Sequence, residues 1–317
     1  MHTKMQPTAK PIIFAPMEGI TNALYRSIIL KHYSAWDYVC TDCLRLPTES
    51  FIKPIHIINH IGKDVWNNKL FLYKNIFQIL ATERTYNRDA SKILEDLKIP
   101  WTDLNFGCPS KHVNRHHGGA YLLDHPDKIK TITKEIRHGY NGFLSAKIRI
   151  GYQHANNFLQ ILDILEGEGV DLITVHPRTK TQMYLGKSDW SYIKMACEKV
   201  KIPIIGNGDI ENIQDIDKMF CETNCQGIMI GRGAIKKPWL SDEYKNQKNI
   251  DETKEIKIFF DFLTNELKHS GIDLKNMVTT IKQLTHYLLN EHNHIRNQIL
   301  RCHNLNEIFT LIDLVAI

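Results

Sequence analysis

At 317 residues, with 43% hydrophobic and 24% charged side chains, the chain has the composition of a globular protein and the length of one α/β barrel plus a small appendage. No apolar run approaches the ~18 residues of a membrane span, and the segment before Lys10 lacks the apolar core of a signal peptide. A cytoplasmic protein with reduced, unpaired cysteines is therefore expected. A formal net charge of +5, with 16 histidines uncounted, permits an anionic partner such as RNA without requiring one.

In chain order, strand-like runs fall at 12–15, 38–41, 75–79, 101–105, 144–148, 172–176, 204–207 and 227–230, each followed by a helical pattern or a polar loop. Residues 155–166 carry Phe158, Leu159, Leu162 and Leu165 at helical spacing ahead of Gly167 and Gly169, and 189–200 form a second such stripe before Pro203. An open doubly wound sheet has the same local alternation, but eight βα units in about 230 residues fit a closed (β/α)8 TIM barrel better. After Pro238-Trp239 the strands stop, 246–252 is polar, and 255–268, 275–290 and 303–316 read as helices. Two domains are expected, a barrel over 1–245 and an all-helical unit over 246–317. Lys275, Lys282, His286, His292, His294, Arg296 and Arg301 of the helical unit form either a basic binding face or an ordinary solvated surface.

In a parallel barrel the chemistry gathers in the loops at the carboxyl ends of the strands. The fourth strand runs into Asp103-Leu104-Asn105-Phe106-Gly107-Cys108-Pro109, where Gly107 and Pro109 stiffen the backbone on either side of one thiol. The other strand ends supply Pro16 and Met17, Gln78, Lys147 and Arg149, then His176 and Arg178. The last two end in Asn207-Gly208-Asp209 and Gly231-Arg232-Gly233, where glycines let backbone N–H groups approach a phosphate and a following helix N-terminus adds positive charge. A phosphate site, a Met/Pro ledge and donors from Gln78, Lys147 and His176 suggest a bound flavin mononucleotide, with Lys147 at its pyrimidine edge. The pairs Cys40/Cys43 and Cys221/Cys225 raise a four-thiolate zinc site. It is set aside because the first pair reads as part of one strand, with side chains facing opposite ways, and the second lies on a distant unit.

The motifs Ala15-Pro16-Met17-Glu18-Gly19, Asp103 to Lys111, Gly118-Gly119-Ala120, Lys147-Ile148-Arg149, His176-Pro177-Arg178-Thr179, Asn207-Gly208-Asp209 and Ile230-Gly231-Arg232-Gly233 occur in an order that resembles the tRNA-dihydrouridine synthase family. Cys40 to Arg45, Gln182-Met183-Tyr184 and Ile281-Lys282-Gln283-Leu284 look most similar to its bacterial C-type branch, which acts on uridine 16 of the D-loop. The resemblance implies FMN as bound cofactor, NADPH as transient reductant, tRNA docked by its elbow as substrate, and Cys108 as the acid that protonates C5 of uracil. It further implies Pro16, Met17, Gln78, Lys147, His176, Asn207, Gly208, Asp209, Gly231 and Arg232 around the flavin, Asn105 orienting the base, and Arg149, Arg178 and Tyr184 holding the base or its phosphates. Pro177, Asn22 and Ala81 depart from the family pattern, which has glycine, aspartate and glycine there. No dinucleotide fingerprint is present, so the NADPH reading comes from the resemblance alone. A monomer is expected. The competing readings are a flavin-barrel dehydrogenase of a free pyrimidine, which needs no helical tail, and an RNA-binding module without catalysis, which needs no Cys108, Lys147 and His176 together.

Overall fold

The computed structural model describes residues 5–271 and 273–314. Strands β1 (Ile12–Phe14), β2 (Tyr38–Cys40), β3 (Leu44–Arg45), β4 (Asn75–Leu80), β5 (Trp101–Phe106), β6 (Phe143–Gly151), β7 (Leu172–Thr179), β8 (Ile204–Asn207) and β9 (Gly227–Ile230) form one sheet. All pairings are parallel; β1 joins β9 to β2, and β2 pairs with β4, which closes the barrel. β3 continues the β2 rail after a break at 41–43 and pairs with the upper half of β4, so nine strands make eight barrel positions. Parallel neighbours need long crossovers, and helices such as Pro126–Gly139 supply them. That helix starts on a proline, carries Asp127 in its first turn and Arg137 and His138 in its last, and buries Ile129, Ile132 and Ile136.

Period-two alternation divides each strand between two environments. On β6, Leu144, Ala146, Ile148 and Ile150 face the core beneath the helices, while Phe143, Ser145, Lys147 and Arg149 alternate with them. Parallel register aligns Trp101 with Phe143, Asp103 with Ser145, and Asn105 with Lys147. The inner residues therefore stack in layers. The floor holds Ile13, Tyr38, Ile76, Trp101, Phe143, Leu172, Ile205 and Met229, with Trp101 edge-on to Tyr38 at 4.9 Å and to Phe143 at 4.7 Å. Polar residues begin one layer higher.

The strand positions expected from the sequence are all occupied, and β6 and β7 run further than expected, to Gly151 and Thr179. Arg149 sustains that extension by donating from Nη1 to the carbonyls of Thr179 and Met183 at 2.9 and 2.8 Å. Pro177 sits opposite the register shift between Arg149 and Gly151, where the ladder is already interrupted. Asn22 caps the helix Ala23–His32 by accepting from the Tyr25 N–H at 3.0 Å, a task its family aspartate would also perform. The helices Pro54–Ile61, Lys63–Asn67 and Lys69–Lys74, and the short β3, had no counterpart in the sequence reading.

Four further helices, Glu252–His269, Leu274–Leu288, Asn293–Ile299 and Leu305–Asp313, follow the barrel. Positions 315 and 316 of the expected last helix lie outside the described residues. Phe259 packs against Tyr25 and Tyr33, His32 stacks on Phe262 at 3.6 Å, and Lys31 pairs with Glu266 at 2.8 Å. The helical region thus shares an aromatic cluster with the outer face of the barrel. Among the described residues, no helix is long and apolar enough to cross a membrane.

Candidate active site

A cavity of about 470 Å³ opens at the carboxyl ends of the strands. It brings together Pro16, Met17, Gln78, Asn105, Cys108, Lys147, Arg149, His176, Arg178, Tyr184, Asn207, Gly208, Asp209, Gly231 and Arg232, the residues expected to hold flavin or base or to donate the proton, while the basic residues of the helical unit lie outside it. Sequence reasoning missed Cys43 and Tyr287, which also line it. Cys43 lies past the end of β2 in the break before β3, so its facing does not follow from strand alternation, and Cys221 lies within the helix Ile213–Thr223. These placements correct the strand argument used against zinc. Among the described residues no group of three or more His, Cys, Asp or Glu side chains is arranged to hold a metal.

The Cys108 loop is held from below. Asn105 Oδ1 accepts from the backbone N–H groups of Gly107 and Cys108 at 3.1 and 2.8 Å, and Asn114 Nδ2 donates to the Cys108 carbonyl at 2.9 Å. Burial pushes the Cys108 thiol above its ordinary range, so at neutral pH it carries its proton. Burial and the neighbouring Cys108 push Cys43 up to about 12. Asn105 Nδ2 donates to Gln78 Oε1 at 2.8 Å, and Gln78 Nε2 donates to Asp103 at 2.8 Å. Both ends of the Asn105 amide are thus engaged in fixing the loop.

Cations crowd the cavity beside the thiol loop, and Arg149 Nε donates to the Gly107 carbonyl at 3.1 Å. Lys147 Nζ donates to Asn207 Oδ1 at 2.9 Å, and burial together with Arg149 brings its ammonium down to about 8. His176 is held well below its ordinary value by burial and by Lys147, Arg149, Arg178 and Arg232. Arg178 can only donate, so the 3.2 Å contact of its Nη1 with His176 Nε2 makes that nitrogen the acceptor of a neutral imidazole protonated at Nδ1. Arg178 Nη2 also donates to Asp209 at 2.6 Å and to the Gly186 carbonyl at 2.6 Å. Burial works against the Asp209 charge, but hydrogen bonds from Arg178 and Ser188 hold its carboxyl below the usual range. Arg232 reaches Asp209 at 3.2 Å, and the guanidinium groups of Arg149 and Arg232 stand 5.4 and 5.1 Å from the centre of the Tyr184 ring.

The expected phosphate loops divide. Gly208 has φ +126° and the following Asp209 φ +54°, and a Cβ on Gly208 would stand 3.0 Å from His176 Cδ2. The helix after this loop, Ile213–Thr223, starts on the Asn212/Asp215 capping box, which already engages the N–H groups of Glu211, Asn212 and Asp215. At Gly231 an added Cβ would meet nothing closer than Met17 Sδ at 3.6 Å, leaving that backbone open to the cavity.

A closed parallel barrel with a thiol and several cationic side chains in one cavity at the carboxyl ends of its strands defines an α/β-barrel enzyme. The dihydrouridine synthase family matches residues 13–313, and the chain belongs to that family, whose members are flavin-dependent oxidoreductases of tRNA uridines. It is 36% identical over 178 residues to a probable tRNA-dihydrouridine synthase of Aquifex aeolicus, covering 55% of each chain. It is 33% identical to the tRNA-dihydrouridine(16) synthase of Shewanella oneidensis over 74% of this chain and 75% of the relative. It is 32% identical to the tRNA-dihydrouridine synthase B of Pasteurella multocida over 72% and 67%. The chain thus spans about half the length of the first relative and two thirds to three quarters of the others.

Proposed function

We propose that this chain reduces the C5–C6 double bond of uridine 16 in the tRNA D-loop, with FMN at the barrel mouth and NADPH as transient reductant. The observation that carries this reading is the Cys108 loop, held by Asn105 in one cavity with Lys147, Arg149 and Arg232. Position 16 is favoured by the Shewanella relative and by the C-type segments of the sequence.

The residues present fit the flavin. The cavity has the size of a cofactor pocket. Its Met17 and Pro16 ledge is apolar, and the open backbone at Gly231 beside Arg232 suits a phosphate. Lys147 would supply positive charge to the ring's pyrimidine edge. Bound there, reduced flavin would supply hydride chemistry toward C6 of the target uracil. Cys108 Sγ–H then gives its proton to C5, quenching the enolate-like charge on the base, and the thiolate left behind is reprotonated from solvent. Asn105, Asn207, Asp209 and Arg178 act by position: Asn105 fixes the thiol loop, Asn207 holds Lys147, and Asp209 and Arg178 hold Arg232 and neutral His176. Tyr184, 45% exposed at the cavity and near both Arg149 and Arg232, would contact a base swung out of the tRNA together with those two cations.

The helical unit over 246–317 would dock the tRNA elbow through side chains such as Lys275 and Lys282, and the enzyme would act as a monomer in the cytoplasm. The test is nucleoside mass spectrometry with position mapping on tRNA from a strain lacking this chain. Dihydrouridine is expected to vanish at position 16 alone and to return with the wild-type chain. Loss at a different position would reassign the branch. Unchanged dihydrouridine throughout, in a strain where no other enzyme covers the site, would favour reduction of a free pyrimidine.

A further inference from the structure

We infer that Asp103 is a positioning residue: by accepting hydrogen bonds from two sides, it sets the direction of a chain of bonds that runs from the barrel floor to the Cys108 loop. This rests on Cys108 as proton donor. The chain begins at Trp101, whose Nε1 donates to Ser145 Oγ at 2.8 Å; Ser145 then donates to Asp103 Oδ1. From the other end, the N–H groups of Gly107 and Cys108 donate to Asn105, Asn105 donates to Gln78, and Gln78 donates to Asp103 Oδ2.

Indole and backbone N–H groups can only donate, so this chain is fed by donors at both ends. Such a chain must contain one member that accepts from both directions. Serine, glutamine and asparagine can each be turned either way round, whereas an ionised carboxylate only accepts. Asp103 is 1% exposed, and burial pushes its carboxyl up to about 6, which leaves it ionised at neutral pH. Its carboxylate fixes Gln78 with Nε2 toward itself and Oε1 toward Asn105, and that in turn points Asn105 Oδ1 at the loop.

Asp103→Asn places a donor where the double acceptor stood. The inference requires that donor to face Gln78: Gln78 and then Asn105 turn over and the Gly107 and Cys108 N–H groups lose their acceptor, whereas a donor facing Ser145, whose oxygen can accept from it and from Trp101 together, leaves the loop unchanged. A displacement of the thiol by about 1 Å is enough to slow turnover about 100-fold. In the flavin-loaded variant, kcat is expected to fall by that order while KM for tRNA stays within about twofold, and the alkylation rate of Cys108 by iodoacetamide is expected to shift. Adding Gln78→Glu moves the double acceptor one place along the chain, because the carboxylate it introduces accepts both from Asn105 and from the amide that Asp103→Asn supplies. The double variant should therefore recover the wild-type alkylation rate, which reads the loop and not the flavin site that Gln78 also lines. Trp101→Phe removes an end donor without changing direction and should leave kcat within about twofold; it tests the same point if Asp103→Asn does not fold.

The inference is overturned if Asp103→Asn turns over at the wild-type rate, if the double variant does not recover thiol reactivity, or if Trp101→Phe slows turnover as Asp103→Asn should. A Cys108→Ala control separates the two readings. If Cys108→Ala is inactive and Asp103→Asn normal, this inference alone fails; if Cys108→Ala is active, the proton-donor reading fails with it.

Discussion

Phe143 and Lys147 alternate with the same outward-facing residues of one strand, four residues apart, yet their surroundings obey opposite rules. Around Phe143 the barrel is filled by Tyr38, Trp101 and Leu172, side chains whose burial stabilises the fold. Around Lys147 stand Arg149, His176 and Arg178, groups whose burial opposes it. The lower layer makes the barrel rigid enough for the upper one to hold cations that would otherwise be solvated. Stability and chemistry therefore separate by height along the same strands, and substitutions at the two levels should separate the two properties.

The largest expected effect is on the floor. Trp101→Ala, which removes two aromatic contacts and the hydrogen bond to Ser145, should lower the unfolding free energy by about 3–5 kcal/mol in denaturant titrations. At the mouth, Lys147→Met should slow turnover about 10- to 100-fold while leaving the flavin-free protein as stable as the wild type or more so. The pH dependence gives the sign. Lys147 is held near 8, below the ordinary lysine value of 10.5, so the unfolded chain binds more protons between those limits. Its contribution to stability is unfavourable below about pH 8 and is relieved as pH rises from there toward 10.5. Thermal melts of the flavin-free wild type should carry this rise and those of Lys147→Met should lack it. An equal slope in both would break the contrast between the levels.

The smallest expected effect is at the rim. Tyr287 reaches the cavity from the helix Leu274–Leu288, which is tethered by Gln283 to the Gly19 carbonyl at 3.2 Å. Tyr287→Ala should raise KM for tRNA about 5- to 10-fold and leave kcat nearly unchanged, as loss of one aromatic contact to a nucleotide would. An unaltered KM would place Tyr287 outside the substrate path.

The floor-to-mouth plan was legible because both strand period and strand-end chemistry are local signals. The eight rails, Cys108, Lys147 and His176 could all be read that way. What was not legible depends on partners distant in sequence. β3 is two residues long and exists by pairing with β4. β6 and β7 extend beyond their apolar runs because Arg149 ties together loops that no pattern connects. Asn207 and Asp209 carry polar groups suited to a ligand, and only the fold reveals that Lys147, Arg178 and Arg232 already occupy them. Tyr287 sits in an ordinary amphipathic helix, with nothing in its neighbours to mark it as a cavity residue.

The most direct test of the account is the oxidative half-reaction of the purified, flavin-loaded protein, prereduced without oxygen and mixed with unmodified tRNA while flavin absorbance is followed. With Cys108→Ala, flavin binding and reduction by NADPH should match the wild type, while reoxidation by tRNA slows about 100-fold or more. Reoxidation at the wild-type rate in Cys108→Ala would contradict the assignment of Cys108 as the proton donor.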